Sequence, residues 1–335
     1  MDTFISNQNT FVLIIIFLVS LIILSKATDI LIDHAVYLSQ EFGISQIIIG
    51  ATIVSLGTTL PELATSIVAA LKGTPDFALG NAMGSIITNT ALVLGVGALV
   101  GAIPVPRSIA NRLIFLVGSL FFLVFGSIRF FDGNVFNAPG HLHPLVGLLF
   151  LLTVPVFLLS SFFKKKVRTE PDYPKEKKRL NSKALLIEVS IILVSALAVA
   201  FSATVLVSTV STAATRLGVS EAIIAGTVVA FGTSLPELTT TYAAARKGHG
   251  SLAIGNVLGA NVLNVLLVLG VSISLTPAGL SVPPVFYQIH FPFAIVVIGL
   301  LSYFVFNTKK HEISKNEGKI LLTIYLLYML FSLFA

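Results

Sequence analysis

Residues 57–63 read GTTLPEL, and 175 residues further on, at 232–238, the chain reads GTSLPEL. The likeness runs outward from these heptads without a gap, from 52–96 to 227–271, with about half of the positions identical. GNAMGS at 80–85 answers GNVLGA at 255–260, Asn89 answers Asn264, and LVLGV stands at both 92–96 and 267–271. Each copy is a pair of apolar segments, the first carrying a Pro-Glu step and the second a GxxxG step. One structural unit is used twice.

The composition says where that unit lives. Of the 335 residues, 55% are hydrophobic and 11% charged, with a mean hydropathy of +0.96. A soluble domain carries roughly a quarter charged residues, so this chain cannot cover a water-facing surface. Its apolar runs recur at the length of about 20 residues that a membrane-spanning helix needs. The predicted class is an all-α integral membrane protein with spans near 9–41, 46–71, 76–100, 108–128, 144–163, 184–216, 221–246, 251–275, 284–306 and 319–335. The first and sixth are too long to stand upright and must tilt or bend. The run Phe11 to Leu24 has no basic segment before it, so it reads as part of a retained first helix rather than a signal peptide. Without Cys, thiolate chemistry and disulfides are excluded.

The net charge of +6 is no nucleic-acid footprint, because the basic residues sit in loops beside apolar segments. Residues 164–183 form one basic linker, holding Lys164, Lys165, Lys166, Arg168, Lys175, Lys177, Lys178, Arg179 and Lys183. The positive-inside rule makes it cytoplasmic. Alternation then puts Arg107, Arg112, Arg246, Lys247, Lys309, Lys310, Lys315 and Lys319 on the same side, leaving Lys72, Arg129 and Arg216 opposite. Seventeen against three sets both termini outside the cytoplasm. Residues 1–163 and 184–335 are then two five-helix halves joined by the linker, and matching helices lie five spans apart. An odd spacing makes the two copies cross in opposite directions, giving ten transmembrane helices in two inverted repeats. That architecture builds alternating-access transporters around a midplane site.

Glu62 and Glu237 are the residues such a site would use. They are expected near the middle of strongly apolar helices, where an ionised carboxylate costs at least about 3 kcal/mol unless something balances it. Neither repeat places Lys or Arg inside its apolar segments, which leaves bound metal ions or protons. Pro61 and Pro236 lack an N–H and free the carbonyls of Gly57 and Gly232. Thr58, Thr59, Thr233 and Ser234 add hydroxyls one turn before each Glu, on the same face. The donor set is all oxygen, as hard cations such as Ca²⁺ require, with no soft ligand. Asn81, Ser85 and Asn89 form a polar stripe on the next helix, repeated as Asn256, Ala260 and Asn264. Asn81 and Asn256, near helix starts, are expected to tie helix ends. Asn89 and Asn264, deeper, are expected to ligate ions or bond the Glu pair. The glycines of the GxxxG pairs allow close helix approach.

Asp29, Asp33 and His34 lie at the cytoplasmic half of the first helix, where a gate or a solvated face is the better reading. The histidines show no HExxH spacing, and no P-loop or GxSxG is present. Neither zinc hydrolysis, ATP-driven pumping nor serine hydrolysis has support. The chain reads as a transporter rather than an enzyme, and nothing in it calls for a cofactor or an obligate protein partner.

These paired motifs resemble the two α-repeats of the calcium/cation antiporter superfamily, and within it the prokaryotic sodium/calcium exchangers. The likeness covers nearly the whole chain. It implies ion sites between the second, third, seventh and eighth helices. The ligand positions would be Ser55, Thr58, Thr59, Glu62, Ser85 and Asn89, with Ala230 (through its carbonyl), Thr233, Ser234, Glu237, Ala260 and Asn264 from the second repeat. Ala260 departs from the family's usual Ser and removes one hydroxyl, while Ser55 stands where Ala is frequent. Asn264 stands where potassium-dependent relatives carry Asp, which argues against K⁺ co-transport. The implied activity is exchange of Na⁺ for Ca²⁺, with H⁺/Ca²⁺ antiport as the alternative. At about three Na⁺ per Ca²⁺ it would be electrogenic, the potential adding about 2.3 kcal/mol per charge per 100 mV.

Overall fold

The computed structural model describes residues 2–106, 109–128, 137–162, 182–218, 230–307 and 311–333. The basic linker falls almost wholly outside these residues, as do 219–229, the start of the seventh expected span. A short α1 (Asp2–Ser6) precedes α2 (Thr10–Phe42). There follow α3 (Gln46–Thr58), α4 (Leu60–Leu71), α5 (Pro75–Val100), α6 (Ala110–Ser127), α7 (Pro144–Phe162) and α8 (Ser182–Arg216). The second half continues with α9 (Ala230–Thr233), α10 (Leu235–Arg246), α11 (Gly250–Ser274), α12 (Phe286–Phe306) and α13 (Lys315–Leu333).

Local chemistry sets these boundaries. The Asn9 side chain accepts the Val12 N–H at 2.9 Å and starts α2. Gly43 ends it in the left-handed conformation at φ 60°. With 33 residues, α2 is about 50 Å long at 1.5 Å per residue. That far exceeds the ~30 Å hydrocarbon layer. α8 is longer still at 35 residues.

Among the described residues six helices are long and apolar enough to cross a membrane, and the bent pair α3–α4 makes a seventh if taken as one span. That is fewer than the ten expected, for visible reasons. The apolar stretch of α7 at Pro144–Ser160 falls just short of that length. α10 has 12 residues because a new helix starts after Ser234, and the part of its expected span before Ala230 lies outside the described residues. α13 opens on Lys315, Glu317 and Lys319.

The break between α3 and α4 corrects one expectation. The axis turns by 43° at Thr59, and Pro61 sits in the first two positions of a new helix, where its missing N–H would have no partner anyway. Pro236 does the same for α10 after Ser234. Glu62 and Glu237 therefore lie in the first turn of a helix, not in the middle of one.

α5 and α11 form the centre, being the most buried of the long helices. α11 crosses α3 at close range: a Cβ on Gly259 would stand 2.5 Å from Ser55 Oγ and 2.6 Å from Ala51 Cα. Small strands join the halves. β1 (Ile103–Pro104) pairs antiparallel with β4 (Glu312–Ile313), and β2 (Gly140–Leu142) with β3 (Leu280–Val282). Outside the centre, α2 and α8 pack against each other along their length. Their outer faces present Ile14, Leu18 and Ile22, and Val194, Leu197 and Phe201, to the surroundings.

Candidate ion-binding site

Glu62 and Glu237 are both fully buried. Each lies in the first turn of its helix, where backbone N–H groups lack intrahelical partners and the helix dipole favours negative charge. The bond from Ser234, three residues before Glu237, through Ser85 to Glu62 draws the two helix ends together. Among the described residues neither has an ion pair, and no cluster of three acidic or histidine side chains occurs.

Around them the two halves exchange contacts. Thr58 Oγ1 donates to Asn256 Oδ1 at 3.2 Å, and Thr233 Oγ1 donates to Asn81 Oδ1 at 3.3 Å. Both partners in each bond are shifted by 175, so these are two copies of one contact with the halves swapped. Behind them, Asn256 Nδ2 donates to Thr240 Oγ1 at 2.9 Å. Asn81 Nδ2 donates to Ser66 Oγ at 3.0 Å and to the Glu62 carbonyl at 3.3 Å. The asparagines thus fix the orientation of the threonine hydroxyls beside the glutamates.

A second chain of bonds exists in one copy alone. Ser234 Oγ donates to Ser85 Oγ at 3.2 Å, and Ser85 Oγ donates to Glu62 Oε1 at 3.3 Å. Shifted by 175, the same chain would run from Thr59 through Ala260 to Glu237. Alanine has no hydroxyl to carry it. Accordingly Thr59 Oγ1 and both Glu237 carboxylate oxygens are buried without a hydrogen-bond partner.

Asn89 and Asn264 are also fully buried, and neither polar atom of either amide has a partner. Asn89 lies in a π-helical turn, Thr88–Val93, and Asn264 opens another, Asn264–Leu269. Such turns recur at functional sites. Ser55 is buried with its hydroxyl on the Thr52 carbonyl at 3.3 Å, and its own carbonyl accepts from Thr58 Oγ1 at 3.4 Å. Ala230 begins α9, just after the undescribed 219–229.

Some contributors escape a reading of the sequence. Ser66 and Thr240 had a signal, lying about one turn beyond each Glu. The buried Asn261, which donates to Thr90 Oγ1 at 2.8 Å between α11 and α5, had none. The positions equivalent to this pair are Ile86 and Val265, so the repeat is silent there.

Two buried carboxylates with three of four oxygens unpartnered, surrounded by amide and hydroxyl oxygens, offer the all-oxygen donor set that hard cations take. Comparison with known proteins shows the family. A family described as "Sodium/calcium exchanger protein" matches residues 12–163 and 187–334. The chain belongs to the sodium/calcium exchanger family. It is 28% identical to the sodium/calcium exchanger MaX1 of Methanosarcina acetivorans, covering 94% of this chain and 97% of that protein. It is 33% identical to the putative antiporter CaxA of Alkalimonas amylolytica, with the same coverages of 94% and 97%. Among solved structures it resembles the sodium-calcium exchanger NCX_Mj soaked with 10 mM Na⁺, with a TM-score of 0.78 at 27% identity over 95% of this chain and 97% of that one. This exchanger-family chain is therefore a multi-pass membrane protein and a cation/Ca²⁺ antiporter by membership.

Proposed function

We propose that this chain exchanges Na⁺ for Ca²⁺ by alternating access, with both ions competing for the buried Glu62–Glu237 pair. The observation that carries the reading is the set of unpartnered oxygens on Glu62, Glu237, Thr59, Asn89 and Asn264, all buried. A buried ion left without a partner costs several kcal/mol, roughly. A permanent arrangement of this kind therefore calls for a cation that comes and goes. Two negative charges match one Ca²⁺, whereas Na⁺ must fill several smaller positions built from the neutral oxygens. Thr58, Thr59, Ser85 and Asn89, with Thr233, Ser234 and Asn264, are assigned as those neutral ligands, joined by Ser55 and the Ala230 carbonyl. A sodium-loaded site then differs in charge from a calcium-loaded one, and transport is electrogenic.

The supporting architecture is ten spans in two inverted five-helix repeats. The swapped Thr–Asn bonds favour it, as do the crossed strand pairs. So do the left-handed glycines Gly43 and Gly218, and Gly73 and Gly248, each pair 175 residues apart. The linker 164–183 would be cytoplasmic and both termini outside.

The test is Ca²⁺ flux into proteoliposomes, driven in turn by an outward sodium gradient and by a pH gradient of equal size. Flux driven by sodium and sensitive to membrane potential is expected. Flux driven by the pH gradient alone would replace the sodium reading with H⁺/Ca²⁺ antiport.

A further inference from the structure

One cluster of charges lies outside the ion site, where α2 meets the end of α10. Lys247 Nζ stands 2.8 Å from Asp33 Oδ1 and 3.0 Å from Asp29 Oδ1, and also reaches the Asp29 carbonyl at 3.5 Å. Partial burial works against the Lys247 charge, but hydrogen bonds and attraction from Asp33 and Asp29 outweigh it and raise its pKa. Nearby, His34 Nδ1 lies 2.7 Å from Glu188 Oε2, which ties α2 to α8 at the same end. Gln46 Nε2 meets His249 Nδ1 at 3.3 Å. α2 and α8 are thus fastened to each other, and Lys247 fastens that pair to the centre of the molecule.

The repeat shows that the fastening is one-sided. Lys72 is the equivalent of Lys247, and both precede a left-handed glycine, Gly73 and Gly248. Asp29 and Asp33, however, correspond to Thr204 and Ser208 on α8. Thr204 Oγ1 donates to its own helix, to the Ala200 carbonyl at 2.9 Å. Lys72 is exposed and forms no ion pair with a described residue. The opposite face therefore has the lysine without the carboxylates.

We propose that Lys247, Asp29 and Asp33 form an electrostatic latch that closes one face of the transporter and biases its resting equilibrium toward the state in which that face is shut. The inference rests on the alternating-access reading above. If α2 and α8 slide against the centre, opening the Lys247 face must break two ion pairs, and opening the Lys72 face breaks none. Because the three side chains are partly exposed, with side-chain exposures of 30% for Lys247, 46% for Asp29 and 64% for Asp33, the bias is modest. A shift of about two- to fivefold in the ratio of the two states is expected on removing the latch, and less at high salt.

The absence of native Cys makes the test direct. Thr28 is buried on α2 against Thr239 of α10, one residue from Asp29. Ala203, its equivalent on α8, is buried as well. A single Cys at either position reports opening of its own face, read as its labelling rate with a small methanethiosulfonate reagent in the otherwise full-length protein. Lys247→Met should speed labelling of Thr28→Cys by about two- to fivefold and slow that of Ala203→Cys. Ser208→Asp, which puts a carboxylate at the position equivalent to Asp33, should slow Ala203→Cys instead, and Lys247→Asp combined with Asp33→Lys should restore the native rates. Unchanged rates at both reporters in Lys247→Met and Ser208→Asp would overturn the latch. Failure of the underlying reading looks different: neither reporter in the native background would respond to exchanging Na⁺ for Ca²⁺.

Discussion

Restoring the hydroxyl that Ala260 lacks is the sharpest probe of the ion site. In Ala260→Ser the new Oγ would stand where Ser85 stands in the other copy, between Thr59 and Glu237. The Ser85 chain has bonds of 3.2 Å and 3.3 Å, long enough to sit at the weak end of the range, about 0.5–1 kcal/mol each. Two such bonds would relieve the unpartnered Thr59 Oγ1 and one Glu237 oxygen, stabilising the ion-free protein by roughly 1–2 kcal/mol. The hydroxyl keeps a lone pair for an ion. Sodium relies on neutral oxygens to offset its dehydration, so one added ligand worth about 1 kcal/mol should tighten it roughly fivefold. Calcium, held chiefly by the two carboxylates, should change less than about twofold. Ser85→Ala should weaken sodium by a similar factor and leave Ser234 and Glu62 Oε1 without their present partner. The assay is sodium competition against Ca²⁺ binding, by calorimetry on the purified variants. If sodium competition is unchanged in both, these two positions do not ligate sodium, and the argument from the missing hydroxyl is wrong.

Other outcomes follow from the same geometry. Glu62→Gln and Glu237→Gln each remove half the site's charge and should weaken Ca²⁺ by about 2–5 kcal/mol, roughly thirtyfold or more; a folded Glu237→Gln protein with near-native transport would refute the site. Single cysteines at Gln8 and Lys175, treated with an impermeant thiol reagent in intact cells, should label at position 8 and stay protected at 175. The reverse pattern would invert the topology. Burial above all holds the His249 imidazole below its ordinary pKa of 6.5, with Lys247 adding to the effect and Asp33 opposing it. The neutral ring, accepting from Gln46, therefore contributes stability that is full above about pH 6.5 and declines as pH falls below it. Thermal unfolding in detergent between pH 5 and 8 should show that decline in the native protein and not in His249→Gln; equal profiles would show that His249 does not titrate on unfolding.

What the sequence reveals here follows from the repeat. A gap-free match brings Glu62 and Glu237 forward without any structure, since a carboxylate repeated in apolar surroundings calls for a bound metal ion or a proton. Their setting is harder to read. A proline inside an apolar run can kink a helix or begin one, and the two differ only in whether the preceding residues continue the same axis. At Thr59 they do not, which moves each Glu from a helix middle to a helix N-terminus. Asn81 and Asn256 illustrate a second limit. Their type and depth indicate a tie, but the partners Thr233 and Thr58 come from the other half, and only the crossing of the two halves selects them. The same symmetry then makes its own violations informative. Ala260 opposite Ser85 leaves Glu237 bare, and Thr204 and Ser208 opposite Asp29 and Asp33 leave Lys72 without carboxylates. A repeat with perfect symmetry would give its two halves the same contacts. The residues that break this one sit in two places, one at the carboxylates and the other at the seam where α2 meets the centre.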